Sequence, residues 1–317
     1  MKKISEEDFK LFTGIVKLTQ DELHKKLYKF LRRYYKKENI INTKEYLIGI
    51  GNVPIGLVAH MDTVFDSPPE HIYYDDRKWT FWSPEGLGAD DRAGIFIILK
   101  VLMSGVLPTV IFTTDEEMGG LGASQLVDDY PDAPVKLKYL VQLDRRNHKD
   151  AVFYDCTNDD FINYIENYGF IYEDGIFSDI SVLCPAWDIA GVNLSVGYVN
   201  EHSYLETLNM ATTLNTFKQV LLLINNSAFA QSFDFGEKDL YYKKFLWSVY
   251  NVRCDGCHKL FFDYEMVPVE TKDGNIQHYC PDCTVDKVDW CDVCNKPYLR
   301  TEGTKDKNGK KICYRHK

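Results

Sequence analysis

The sequence predicts an α/β protein with a mostly parallel sheet flanked by helices over residues 1–235 and a small zinc-stabilised domain over residues 251–317. Three observations lead there. Short apolar runs of β character alternate with helical stretches, the pattern of a sheet covered on both faces. Four of those runs end on side chains able to bind a metal. Cysteine usage is split, with only Cys156 and Cys184 before residue 254 and the other seven between Cys254 and Cys313.

In chain order, "SEEDFKLFTGIVKL" and "TQDELHKKLYKFLRRYY" open on Ser5 and Thr19 and carry apolar residues at helical spacing. Two strands follow, "EYLIGIG" and "PIGLVAHMD", then the helix "AGIFIILKVLM" and the strand "TVIFTTDEE". A helix is expected near "GASQLVDDY", a strand at "KYLVQLD", and a strand and helix in "DAVFYDCTNDDFINYIENYGF". "GVNLSVGYVNEH" reads as one strand, and "YLETLNMATTLNTFKQVLLLINNSAFA" as one long helix. The segment "QSFDFGEKDLYYKKFLWSVYN" is too aromatic for a flexible linker. Its last part, residues 236–250, is expected to connect the domains while packing against one or both.

The net charge of −10 resides in the body, since from Asn251 onward 12 Lys+Arg face 11 Asp+Glu. Phosphate binding needs surplus Lys and Arg, so an acidic body argues against nucleic acid as substrate. "MKKISEEDFKLF" places acids where a signal peptide needs an apolar stretch, and no apolar run reaches membrane-spanning length. A reducing cytoplasm is the expected compartment, with no membrane partner.

In that compartment clustered cysteines read as metal ligands rather than disulfides. "CDGC", "CPDC", "CDVC" and "CYRH" form four pairs. Taken sequentially they give one site from Cys254, Cys257, Cys280 and Cys283, and one from Cys291, Cys294, Cys313 and His316, both suited to structural zinc. The tail resembles tandem treble-clef or LIM-like zinc modules, without the usual LIM linker spacing. His278 is an alternative ligand at the first site or an exposed polar residue. With few large aliphatics the tail cannot fold by burial alone, and zinc supplies the difference. Its near-neutral charge favours a protein partner over nucleic acid. Cys156 and Cys184 read as buried small hydrophobes.

The body's candidate ligands are His60 in "GLVAH", Glu116 and Glu117 in "VIFTTDEE", Asp144 in "KYLVQLD" and His202 in "LSVGYVNEH". Open α/β sheets bind ligands beyond the carboxyl ends of their strands, so these positions converge. Three acids in a row, Asp115 to Glu117, oppose one another unless a cation or a proton compensates them. Singly, each residue has an ordinary explanation. His60 pairs with Asp62 in a core, Asp90 and Asp91 cap a helix, Asp144 pairs with the arginines beside it, and His202 sits in a loop.

Together "HMDTV", "GADDRAG", "TTDEEMGG", "QLD" and "NEH" resemble the co-catalytic dizinc metallopeptidase superfamily of aminopeptidases, peptidase T and aminoacylases, over about residues 40–230. The resemblance implies a zinc-dependent exopeptidase-like fold in which His60, Asp90 and Asp144 bind one zinc and Asp90, Glu117 and His202 the other. Asp90 bridges them. It also makes Glu116 the general base toward a solvent shared by the metals, and Asp62 the carboxylate that orients His60. Asp115 then serves the turn, and "MGGLG" lets the backbone approach. Two catalytic and two structural Zn²⁺ are implied in all.

The implied activity is amide-bond hydrolysis by an aminopeptidase or small-peptide exopeptidase. An amidohydrolase acting on an N-acyl amino acid or metabolite is the alternative. In a third reading, of another class, the chain is a non-catalytic adaptor whose zinc module binds protein or nucleic acid. Relatives of the aminoacylase and peptidase T type carry a lid or dimerisation domain between the ligands matching Asp144 and His202; here the interval has no room for one, so the resemblance is closer to the single-domain aminopeptidases. Tyr198 and Tyr204 either polarise a carbonyl or are buried structural tyrosines. Asp179 in "FSDISVL" and Glu206 either meet a substrate amine or play structural roles. Arg145 and Arg146 either meet a substrate carboxylate or form a solvated basic pair.

Overall fold

A computed structural model describes residues 4–236, 252–261, 266–307 and 309–316. The chain divides into two compact units, Met1–Glu237 and Lys238–Lys317. Apart from Gly236, the connecting segment 236–250 lies outside the described residues. The stretch leading to it does pack: Phe233 is buried, its N–H bonds Lys138 O, and its carbonyl accepts from Ala190.

The first unit is built on an eight-stranded sheet in the order β1-β2-β6-β3-β7-β10-β8-β9. These strands are β1 (Ile40–Asn42), β2 (Tyr46–Gly49), β3 (Val53–His60), β6 (Pro108–Thr113), β7 (Leu140–Arg145), β8 (Asp150–Val152), β9 (Ile171–Tyr172) and β10 (Gly191–Ser195). The centre, β6-β3-β7-β10, is parallel, while β2 joins β6 and β8 joins β10 antiparallel. Strand alternation divides the core in two. Leu47, Leu57, Ala59, Val110, Phe112, Val141 and Leu143 belong to one cluster with α1 (Glu6–Val16), α2 (Gln20–Leu31), α3 (Ala89–Met103), α5 (Asp159–Glu166) and α7 (Met210–Asn226). Tyr46, Ile48, Val58, Ile111 and Leu140 belong to the other, with α4 (Leu121–Asp129) and α6 (Asp179–Trp187).

The helices start where side chains satisfy their first N–H groups. Ser5 Oγ accepts from Asp8 N, and Thr19 forms a capping box with Glu22. α3 lies between the sheet on one side and α1 and α7 on the other, so all of it but Lys100 and Met103 is buried. Gly94 is what lets α3 lie so close to β7, because a Cβ there would sit 2.1 Å from Leu143 O.

Two expected elements divide. "GVNLSVGYVNEH" stops at Ser195, bends at Gly197 (φ 106°) and continues as β11 (Tyr198–Val199) in a second sheet. "YLETLNM" gives β12 (Thr207–Asn209), and α7 begins only at Met210, where the Asn209 side chain accepts from Thr212 N. The second sheet, ordered β11-β12-β5-β4, also recruits β4 (Tyr73–Asp75) and β5 (Thr80–Trp82), which sequence patterning missed because three residues are too few to show an alternation. Its cross-strand row Tyr74, Phe81, Leu208 and Tyr198 joins the core, and the neighbouring row Tyr73, Trp82, Thr207 and Val199 faces outward.

Among the described residues, the second unit contains four two-stranded ribbons and the helix α8 (Pro281–Lys287). Its buried apolar clusters are small, one around Cys254, Met266, Val269, Tyr279, Cys280 and Val288 and one around Cys291, Tyr298 and Cys313. Among the described residues no helix is long and apolar enough to cross a membrane.

Candidate dinuclear metal centre

The carboxyl ends of the parallel strands bring the candidate ligands together. β3 ends at His60, β6 ends three residues before Glu116, β7 carries Asp144, and Asp90 starts α3 beside a cis peptide to Asp91. His202 arrives from the second sheet, on the turn between β11 and β12, and not from the end of a core strand. Potential ligand atoms of His60, Asp90 and Asp144 lie within 4.8 Å of one another, as do those of Asp90, Glu117 and His202. His60, Glu116 and Glu117 form a third such group.

The two oxygens of Asp90 face different histidines. Oδ1 is 3.1 Å from His60 Nε2, and Oδ2 is 3.2 Å from His202 Nε2. His60 Nε2 is also 3.5 Å from Asp144 Oδ1 and 3.9 Å from Glu116 Oε2, while His202 Nε2 is 3.0 Å from Glu117 Oε1. Behind His60, Nδ1 lies 3.1 Å from Asp62 Oδ1. The Asp62 carboxylate also accepts from Glu116 N and Glu117 N, so one side chain fixes an imidazole and the acidic loop together.

This donor set suits bound dications. If His60 donates Nδ1–H to Asp62, its Nε2 lone pair points at three carboxylates, which is repulsive unless a proton or a metal intervenes. Without metal the protons move in. Despite burial, Asp62 and its neighbouring carboxylates hold the His60 imidazole well above its usual range, and hydrogen bonds to Asp90 and Glu117 lift His202 to about 10. Burial drives Glu116 well up and Asp144 to about 6. Against burial, the two histidines hold Asp90 low. Mixed imidazole and carboxylate donors are those of catalytic zinc.

A pH dependence follows for the metal-free chain. Burial lifts Asp179 to about 7 and Glu206 to about 8, in addition to Asp144. Each folded value exceeds its unfolded counterpart of roughly 4, so the stabilising effect is complete below about pH 4 and is lost as pH rises through the folded values. The two histidines have the same sign at higher pH. Asp62 and Asp90, held low, act only below about pH 4. Thermal denaturation of metal-free protein is therefore expected to show stability falling from pH 4 to 9, with the slope flattened by zinc.

Other residues singled out in the sequence separate by position. Asp115 (φ 54°) holds the turn, where its carboxylate accepts from Gln20 Nε2 and its N–H bonds Gln20 Oε1. Asp91 is the capping acid, accepting from Gly94 N and from His60 N. Tyr198 is buried, its hydroxyl bonding Asp144, whereas Tyr204 is 69 % exposed and is not a buried structural tyrosine. Glu206 is buried and accepts from Ala89 N and Asp90 N, so it holds the loop that presents Asp90. Arg145 reaches Asp174 O and Arg146 pairs with Glu201, interactions that tie the pair to neighbouring loops.

Asp179 is fully buried. Oδ2 accepts from Thr113, and Oδ1 has no hydrogen-bond partner among the described residues. With no exposed surface it does not face an incoming amine. Three polar residues that composition did not flag complete the shell. Ser178 Oγ bonds Asp144 Oδ2, Asn193 Oδ1 accepts from Asp144 N, and the buried Arg92 reaches Leu18 O. Arg92 and Ser178 stand inside the quoted segments "GADDRAG" and "FSDISVL" without being singled out there, and Asn193 carries no motif; only the fold brings the three to the centre.

In the second unit, potential ligand atoms of Cys254, Cys257, Cys280 and Cys283 converge, and so do those of Cys291, Cys294, Cys313 and His316. Sγ separations of 3.9 Å (Cys257 to Cys280) and 3.8 Å (Cys294 to Cys313) match the edge of about 3.8 Å of a tetrahedron with Zn–S near 2.3 Å. Against burial, backbone N–H groups pull the Cys254 and Cys291 thiols down to about 6, toward the thiolate that binds metal. His278 belongs to neither group.

No family model matches the sequence, and no curated relative matches it. Solved structures do. The aminopeptidase PepT of Bacillus cereus is 15% identical, with 70% of this chain and 98% of that one covered and a TM-score of 0.54. A tripeptidase of Staphylococcus aureus is 14% identical, covering 72% and 100%, also at 0.54. The aminopeptidase APDkam598 of the archaeon Desulfurococcus kamchatkensis is 12% identical, covering 71% and 96%, at 0.51. The chain thus shares the α/β fold of these peptidases, a mostly parallel sheet flanked by helices.

Proposed function

We propose that residues 1–235 form a zinc-dependent aminopeptidase of small peptides and that residues 251–317 form a structural zinc module, in a chain that works in a reducing compartment. The observation that carries this is Asp90, whose two oxygens face His60 and His202 while Asp144 and Glu117 complete one group each. His60, Asp90 and Asp144 would hold one zinc, and Asp90, Glu117 and His202 the other. When bound, such a pair supplies Lewis-acid polarisation of the scissile carbonyl and lowers the pKa of water.

The chain's own groups do the rest. Glu116, whose carboxylate lies 3.9 Å from His60 Nε2 and is partly exposed, accepts a proton from the attacking water and returns it to the leaving amine. Asp62 fixes the His60 ring and, through two N–H bonds, the position of Glu116. The peptidases that share this fold, an aminopeptidase and a tripeptidase among them, support a peptide substrate with a free amine over the N-acyl amino acid of a deacylase.

The test is a zinc-loaded chain assayed on aminoacyl amides, small peptides and their N-acetyl counterparts. Metal analysis is expected to find about four zinc ions per chain, and turnover is expected only where the amine is free. Turnover confined to N-acyl substrates would assign a deacylase. Full metal loading without turnover on any substrate would assign an adaptor.

A further inference from the structure

The near-neutral charge of residues 251–317 hides a division. Residues 251–295 carry nine Asp and Glu against four Lys and Arg, whereas residues 296–317 carry eight Lys and Arg against Glu302 and Asp306. The basic half borders a cavity of about 380 Å³, lined by Arg300, Lys305 and Lys311 and by one acid, Asp289. Its walls come from the ribbon pairing Val288–Trp290 with Pro297–Leu299, the short turn of helix that follows, and the ribbon pairing Thr304–Lys305 with Lys311–Ile312. Tyr298 is buried, and Gly303 is seated against its ring, where a Cβ would fall 1.9 Å from Cε2. Both oxygens of Asp289 are engaged, Oδ1 by Lys311 Nζ at 2.5 Å and Oδ2 by Arg300 Nε at 3.4 Å. Arg300 Nη2 also donates to Val285 O and Val288 O, at 2.8 and 3.5 Å. These bonds fix two of the cations, while Arg300 Nη1 and the exposed Lys305 ammonium bond none of the described residues. Asp289 offsets one of the three positive charges, and the excess makes the concavity attractive to an anion.

We propose that this cavity binds an acidic segment of a protein partner through its carboxylates, with Arg300 and Lys305 as the recognising contacts. The proposal is independent of the chemistry of the first unit. Arg300 supplies a planar donor already oriented by Asp289, and Lys305 a point charge on a flexible stem. Charge also selects among anions. The chain carries −10 overall, and the nine acids of residues 251–295 belong to the same unit, so a long polyanion such as RNA is opposed wherever it extends beyond the cavity. A short run of Glu or Asp needs only the cavity itself.

The experiment titrates the full zinc-loaded chain into three fluorescent probes and reads anisotropy. One is a peptide of alternating Glu and Gly blocked at both termini, one its Gln counterpart, and one a single-stranded RNA of equal length. Wild type is expected to bind the Glu peptide about tenfold or more tighter than the Gln peptide, with affinity falling as salt is raised. Lys305→Ala should weaken that binding several-fold and Lys305→Glu about tenfold or more, at unchanged zinc content, while Lys305→Arg retains it. Lys259→Ala, at an exposed lysine of the acidic half, should leave it unchanged. An equal loss in Lys259→Ala would assign the binding to overall charge and overturns the site. Unchanged affinity in Lys305→Glu overturns it too, as does a loss in Lys305→Arg as large as that in Lys305→Ala, which would mark a structural role. RNA bound more tightly than the Glu peptide would make the cavity a phosphate site, and failure of wild type to bind the Glu peptide would leave it without the proposed ligand; either result sinks the proposal.

Discussion

Replacing Glu116 with Gln is expected to leave zinc content unchanged and to lower kcat by about 10²–10⁴, the usual contribution of a positioned general base. The amide keeps the size of the carboxyl and loses its capacity to take a proton. The loop should stay in place, because Glu116 and Glu117 are held through their backbone N–H groups by Asp62 rather than through the Glu116 side chain. KM should change little, since the proton transfer belongs to the transition state. The metal-free variant should be no less stable than the metal-free wild type, because burial and the surrounding acids already disfavour the Glu116 carboxylate. Undiminished turnover in Glu116→Gln would remove Glu116 from the mechanism. Loss of zinc together with turnover would make it a ligand, as its place near His60 and Glu117 also permits.

How much of this centre was legible depended on where each residue stood relative to a strand. His60, Glu116 and Glu117, and Asp144 lie at or just beyond the ends of core strands, where a run of buried apolar residues gives way to polar ones, and that transition is visible in one dimension. His202 was identified by the motif "NEH" but misplaced, since the apolar run before it conceals the Gly197 bend that carries the chain into a second sheet. The division of labour between Asp90 and Asp91 was legible through the family resemblance, which puts Asp90 between the metals, and not through residue type. Adjacent acids at a helix start look alike in sequence, and only the backbone path sends one toward the histidines and the other back to cap α3.

Residues that act through tertiary hydrogen bonds left no local signal. Gln20 grips the Asp115 turn with both ends of its amide from 95 positions away, and Asn193 reaches Asp144 across 49. Tyr204 shows the converse. An aromatic beside a ligand is more often packed than exposed, and here the tight turn between two short strands leaves it no core to enter. In the tail the ligand pairs were legible from spacing alone, because a tetrahedral metal site imposes a covalent pattern on the sequence that a hydrophobic core does not.

The second large effect is expected in that tail. Cys280→Ser should remove about one zinc per chain and unfold the second unit, because structural zinc contributes apparent binding free energies of about 10–16 kcal/mol to such modules. Beyond the cysteines, the buried clusters among the described residues hold Met266, Val269, Tyr279, Val288 and Tyr298. A core that small does not offset the conformational entropy of ordering the unit. Cys280 is also the N-cap of α8, accepting from Cys283 N, and serine keeps that cap because its hydroxyl is among the best N-cap acceptors, so the variant removes the zinc ligand alone. Hydrogen exchange should therefore show protection lost throughout residues 252–316, while residues 4–236, with their own two-sided core, keep theirs. Retained protection around Val267–Tyr279 with one zinc missing would mean that the second site and the ribbons suffice, and that the first site is not what folds this unit.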